Sequence, residues 1–143
     1  MAREFIVPGQ IITGSGALNM AEETLKGLGK KALIVTDKVM IQLGNCAKVE
    51  TDKKNQGVDY AIYSEIVGEP TDVMIENGVD LLKNSDCDFI IGIGGGSPLD
   101  SAKAIAAMAV NGGSISDYNG KEISGEILPL AAIPTTAGTG SEA

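Results

Sequence analysis

The stretch "DFIIGIGGGSPLDSAKAIAAMAV", residues 88–110, decides the fold. Its opening is a continuous apolar run, its close carries apolar residues at helical spacing, and Gly94, Gly95 and Gly96 stand between them. A run that is apolar at every position suits a strand buried on both faces, and the period that follows suits a helix packed back onto that strand. Glycines at such a junction let unsubstituted backbone approach a ligand and turn free N–H groups toward it. Ser97 fits the helix N-cap, Pro98 the first helical turn, and Asp100 completes a capping-box-like pattern. In outline this is an anion site, with a tight structural turn as the other reading. Asp100 either serves the cap alone or reaches a ligand.

The same alternation recurs on both sides. "KALIVTD", residues 31–37, is a buried strand ending in Asp37, and "DYAIYSEI", residues 59–66, and "LPLAAI", residues 128–133, are two more. Leu18, Ala21, Leu25 and Leu28 fall on one helical face that Gly29 closes. Residues 38–57 read as helical or mixed, with a break at Gly44 and Asn45. After Pro70, Thr71 caps a helix whose Ile75, Val79 and Leu82 line one face, with Asp72 placed for the N-terminal dipole. "FIV" and "IIT", on either side of Pro8 and Gly9, suggest a short N-terminal β-hairpin. The order predicts an α/β fold: a doubly wound, mostly parallel, Rossmann-like sheet, with that hairpin and no second domain within these residues. In such sheets ligands bind beyond the carboxyl ends of the strands, so the loops after Thr36, Ile93 and Ile133 are where function belongs.

Composition narrows the chemistry. A formal charge of −8 over 143 residues, with no Lys/Arg cluster, argues against nucleic acid and anionic membranes as partners. No apolar stretch has the length of a membrane span and residues 1–10 lack a signal-peptide layout, so a cytoplasmic protein is expected. Cys46 and Cys87 are far apart and carry no metal-ligand spacing, which points to reduced core thiols. The chain has no His, so Ser-His-Asp and Cys-His nucleophile systems and ordinary zinc sites are excluded within it.

Two further loops share the carboxyl edge with the glycine turn. A carboxylate at Asp37 can accept hydrogen bonds from both hydroxyls of an adenosine ribose and would repel a 2′-phosphate, or it can cap the following helix. It lies about twenty residues beyond Gly14, Ser15 and Gly16, a spacing that mimics a dinucleotide fingerprint. In "IPTTAGTGSEA", residues 133–143, Thr135, Thr136 and Thr139 offer hydroxyls and Gly138 and Gly140 flexible backbone. An ordinary ST-turn would account for that loop equally.

Taken together, "GGGSPLDSAKAIA" and "AAIPTTAGTGSEA" resemble the iron-containing (group III) alcohol dehydrogenases. The likeness extends in order and spacing to "PGQIITGSGAL", "KALIVTDKVM" and "GEPTDVMIENGVDLLK". Dehydroquinate synthases share only the "IPTT" start, and maleylacetate reductases depart at both longer motifs. The resemblance implies an NAD-dependent oxidoreductase that interconverts primary alcohols or diols and aldehydes. Residues 1–143 would be its N-terminal dinucleotide-binding domain. A C-terminal helical domain, outside this chain, would supply one Asp and three His to Fe²⁺ or another divalent metal. By the same resemblance Gly95, Gly96 and Ser97 hold the pyrophosphate and Asp37 contacts the adenosine ribose, which disfavours NADP. Asp100, Thr135, Thr136 and Thr139 would lie around the nicotinamide half or the phosphates. Glu69 departs from the family, where many members have Asn before the proline of an "NPT" turn. No complete catalytic set and no metal site are expected in these residues. The expected partners are the dinucleotide, a small alcohol or aldehyde and, because a lost domain interface favours self-association, further copies of the chain. The competing readings are a stand-alone nucleotide-binding module without catalysis and a protein related to glycerol dehydrogenase or dehydroquinate synthase.

Overall fold

A computed structural model describes residues 7–47, 49 and 57–143. Among the described residues four strands, β1 (Lys31–Val35), β2 (Asp59–Tyr63), β3 (Phe89–Gly94) and β4 (Leu130–Pro134), form one sheet in the order β2-β1-β3-β4. Every neighbouring pair is parallel, with Ala32 opposite Tyr60 on one side and Phe89 on the other, and Ile93 opposite Ile133. The doubly wound parallel sheet expected from the apolar runs is therefore present.

Short helices α1 (Ala17–Met20) and α2 (Glu22–Lys26) precede β1, and α3 (Lys38–Gln42) follows it. Helix α4 (Asp72–Asn84) leads to β3, α5 (Gly96–Asn111) follows β3, and a 3₁₀ turn at Ile115–Tyr118 precedes β4. The alternating side chains of the strands divide into two cores. Leu33, Val35 and Ile90 pack with Ile75, Val79 and Leu82 of α4 and Ala102, Ile105 and Ala106 of α5. On the opposite face Ala32, Ile34, Phe89, Ile91 and Ile93 pack with Leu25, Cys46 and Val49. The side chain of β3 at Gly92 is missing for a reason: a methyl group there would stand 2.9 Å from Ala102 Cβ and 3.1 Å from Leu99 Cδ2, so its absence sets how closely α5 lies on the sheet.

The helical face read from Leu18 to Leu28 is realised as two short pieces that meet at Ala21. The break expected at Gly44 and Asn45 is a turn with Gly44 at φ +73°, after which residues 45–47 are helical again. Residues 48 and 50–56 of that segment, and Phe5 and Ile6 of the expected hairpin, lie outside the described residues. Its other arm, residues 11–13, carries no strand. Thr71 caps α4 as its position suggests, accepting from the Met74 N–H at 3.3 Å. Both cysteines are buried, and burial pushes the Cys87 thiol up from its ordinary value.

Asp88 ties the entry of β1 to that of β3. Its carboxylate accepts from the Lys30 N–H and the Lys31 N–H, each at 2.9 Å. Partial burial pushes the carboxyl up, but the N–H groups of Lys30, Lys31 and Asp88 itself outweigh it and hold the group below the usual range. A depressed native pKa means stabilisation present above the unfolded value, near 4, and lost as pH falls below it. Asp88→Ala is expected to lower the unfolding free energy by about 1 kcal/mol at pH 7. The difference should shrink as urea melts are repeated from pH 5 downward through the lowered native value.

Candidate functional site

The sheet order reverses direction between β1 and β3: the chain leaves β1 toward β2 and leaves β3 toward β4. The crossovers start on opposite faces, so a crevice opens between the carboxyl ends of these two strands. Asp37 stands at one lip and residues 94–97 at the other. The lips are laced together beneath, where the buried Thr36 donates its hydroxyl to Ile93 O at 2.9 Å and its N–H to Tyr63 O at 2.9 Å. Cys46 Sγ approaches the same hydroxyl at 3.6 Å.

Asp37 fulfils one of its two readings outright. It is the N-cap of α3, in extended conformation, and its Oδ1 accepts from the Met40 N–H at 2.8 Å. The second oxygen remains turned toward the glycine turn, since a methyl group on Gly94 would lie 3.6 Å from Asp37 Oδ2. Cap and ligand contact are thus compatible in one carboxylate. The Lys38–Glu65 ion pair alongside, at 3.1 Å, has both side chains mostly exposed and contributes little.

At the turn itself the expectation for Ser97 needs correction. The N-cap of α5 is Gly95, with no side-chain cap, and Ser97 is already the second helical residue. Asp100 consequently makes no capping box; it is exposed on the second turn of the helix. The reason lies in Gly94, whose φ of +145° reverses the chain early enough for the helix to begin at Gly96. Pro98 does fall in the first turn. The N–H groups of Gly96 and Ser97 are first-turn donors that no intrahelical carbonyl reaches, and no hydroxyl cap takes them. A helix left open in this way is suited to hold an anion.

The loop after β4 closes the third side. The Thr135 N–H donates to Gly94 O at 2.9 Å, extending the β3–β4 ladder into the turn. Added methyl groups at Gly95 and Gly96 would lie 3.4 Å from Thr136 Oγ1 and 3.3 Å from Ser141 Oγ, and the latter also 3.6 Å from Thr139 Cβ. The glycine backbone is therefore the floor of a shallow cradle whose walls carry hydroxyls. Thr135, Thr136 and Thr139 are exposed; Ser141 is buried and its N–H donates to Thr139 Oγ1 at 3.3 Å. Lys103 reaches from α5 to Ala143 O at 2.5 Å, which fastens the far end of the loop. All three sequence-identified loops meet here, and only Asp100 stands apart from their contacts.

Thr36 and Met40 were not singled out by the sequence reading. A threonine ending an apolar run looks like ordinary strand composition, and a methionine three residues past a cap looks like core filler. Only the strand register reveals what Thr36 does.

The donors and space suit a dinucleotide: open helix N–H groups for a pyrophosphate, a carboxylate for a ribose and no side chains on the glycine floor. They do not suit a metal. Among the described residues no group of three or more His, Cys, Asp or Glu could hold an ion, and the sequence has no His. Among the described residues, too, no helix is long and apolar enough to cross a membrane.

Comparison with known proteins agrees with this layout. Residues 8–143 match the family described as Iron-containing alcohol dehydrogenase. The NAD-dependent methanol dehydrogenase of Bacillus methanolicus is 42% identical over 140 residues, covering 96% of this chain and 37% of that protein. Among solved structures, a 1,3-propanediol oxidoreductase superposes with a TM-score of 0.94 at 33% identity, over 99% of this chain and 38% of that one. A sulfoacetaldehyde reductase from Bifidobacterium kashiwanohense, solved in complex with NAD+, superposes with a TM-score of 0.85 at 27% identity, again over 99% and 38% of the two chains. The present chain thus spans little more than a third of the length of these relatives.

Proposed function

The chain belongs to the iron-containing alcohol dehydrogenase family, and from that premise we propose that residues 1–143 form the N-terminal dinucleotide-binding part of an NAD-dependent alcohol or diol dehydrogenase. The observation that carries the proposal is the pairing of Asp37 with the open glycine turn across the switch point of the sheet. Gly95, Gly96 and Ser97 would receive the pyrophosphate on their N–H groups, and Asp37 Oδ2 the ribose hydroxyls. Thr135, Thr136 and Thr139 would line the remainder of the dinucleotide, and Asp100 would reach it only from the rim.

When bound, the nicotinamide supplies the hydride donor or acceptor for interconversion of an alcohol and an aldehyde. The residues of this chain do the binding and the orienting. The rigid β3–turn–α5 unit fixes the phosphates, Asp37 fixes the ribose, and the loop after β4 limits how the far half can lie. Such preorganisation works because Asp37 and the glycine turn follow directly on β1 and β3, the strands buried in the sheet core.

A metal partner to this chemistry finds no ligand set among the described residues, so no reaction step is assigned to one here. The expected result is that the purified 143-residue chain does not oxidise NADH with a panel of short aldehydes, even with saturating Fe²⁺ or Zn²⁺, because polarising a carbonyl needs an ion held by several positioned ligands. The longer protein should turn over under the same conditions. Comparable turnover by both would overturn the assignment of the chemistry to residues outside this chain. Failure of both to bind NADH would overturn the dinucleotide reading itself.

A further inference from the structure

Met40 joins two sides of the crevice through contacts that the dinucleotide reading leaves unused. Its main-chain N–H donates to Asp37 Oδ1 at 2.8 Å. Its sulfur lies 3.5 Å from Thr135 Oγ1, ninety-five residues away in sequence, and 3.5 Å from Asn45 Nδ2. A thioether has lone pairs and no proton, so the direction of both contacts is settled: Thr135 and Asn45 donate, and Met40 accepts. A threonine hydroxyl has one proton. With that proton committed to sulfur, and the Thr135 N–H committed to Gly94 O, the side chain has only oxygen lone pairs to offer the crevice.

We propose that Met40 is a positioning residue that orients the Thr135 hydroxyl, so that Thr135 meets the dinucleotide as an acceptor and selects an N–H or O–H group over a phosphate oxygen. The inference rests on the dinucleotide reading of the crevice. A phosphate oxygen against Thr135 Oγ1 would set acceptor against acceptor unless the rotor gave up its sulfur partner. The exocyclic amine of adenine, a ribose hydroxyl and the carboxamide of nicotinamide all carry the donor that this arrangement needs. A sulfur contact is weak, yet a freely turning hydroxyl has little resisting it, so a weak acceptor is enough to choose among rotor positions. Asn45 holds the sulfur from the other side, and the half-buried setting of Met40 keeps the thioether in register with exposed Thr135.

The test is NADH titration, followed by fluorescence, on the complete protein and its variants, with inorganic pyrophosphate as a competing ligand. Losing one net hydrogen bond changes affinity about two- to tenfold, which sets the scale. Met40→Leu keeps the volume and removes the acceptor, and it should bind NADH about fivefold more weakly. Met40→Gln restores an acceptor oxygen and should stay within about twofold of the unmodified protein. Thr135→Val should bind about five- to tenfold more weakly, and adding Met40→Leu to it should cause no further loss. Pyrophosphate affinity should be the same in all of them. Independent, additive losses, equal weakening in the Leu and Gln variants, or a loss of pyrophosphate affinity in Thr135→Val would each overturn the proposal while leaving NADH binding intact. No NADH binding by the unmodified protein would instead remove the dinucleotide reading, and this inference with it.

Discussion

Gly94→Ala is expected to remove about 3 kcal/mol of folding stability and to weaken NADH binding at least about tenfold in the molecules that still fold. Two penalties combine. The φ of Gly94 is +145°, a conformation that L side chains rarely adopt, and holding one there costs about 1–3 kcal/mol. The new methyl group would also stand 2.8 Å from Pro98 Cγ and 3.1 Å from Pro98 Cβ, and overpacking of that kind costs about 1–3 kcal/mol. Pro98 is buried and its ring cannot rotate aside. Relief must therefore come from the first turn of α5, which carries the open N–H groups of Gly96 and Ser97. Stability and anion binding fall together for that reason. Urea unfolding gives the first quantity and NADH titration the second. Gly140→Ala, at a milder positive φ of +73° and with nothing near its new methyl group, carries a smaller strain and no clash and should lose about 1 kcal/mol. A Gly94→Ala midpoint equal to that of the Gly140→Ala protein would show that Pro98 does not press on the turn.

The second large effect is on cofactor choice. Asp37→Gly should raise kcat/KM with NADP relative to NAD by about ten- to a hundredfold in the complete enzyme, as removal of a like charge worth about 1–3 kcal/mol implies. The substitution is chosen so that the helix cap does not confound it. Asp37 Oδ1 caps α3 through Met40, but glycine is itself a tolerated N-cap and loses only a few tenths of a kcal/mol. A melting temperature near that of the unmodified protein together with a shifted ratio would assign the effect to Oδ2, the oxygen turned toward Gly94. An unchanged ratio would reduce Asp37 to its capping role.

The parts legible in sequence were those set by local pattern. The apolar runs at residues 32–35 and 89–93 read as strands buried on both faces, and the register confirms that Ile34 and Ile91 face the same core. Thr71 before an amphipathic run was a cap for local reasons, and local geometry realises it. The start of α5 is not legible locally, because Ser-Pro after glycine carries the local marks of an N-cap at Ser97 while the helix begins at Gly96. Ser97 is displaced into the helix by Gly94, whose positive φ no side-chain propensity describes, and by Gly95, which takes the N-cap in its place. Thr36 and Met40 were beyond local reasoning altogether, since their partners Ile93 and Thr135 are brought within reach only by the parallel pairing of β1 with β3 and of β3 with β4.

By the reading proposed above, the crevice at the switch point of the sheet binds a dinucleotide through the glycine turn and Asp37, without any metal. That reading is tested most directly by following backbone amide chemical shifts while ADP-ribose is added in the presence of a chelator. Saturable shifts are expected, largest at Gly95, Gly96, Ser97 and Lys38 and extending to Thr135 and Thr136. A folded protein showing no shifts at millimolar ADP-ribose would contradict it. So would shifts centred on the cavity of about 170 Å³ between α4 and the end of α5, around Glu76, Lys83 and Gly113.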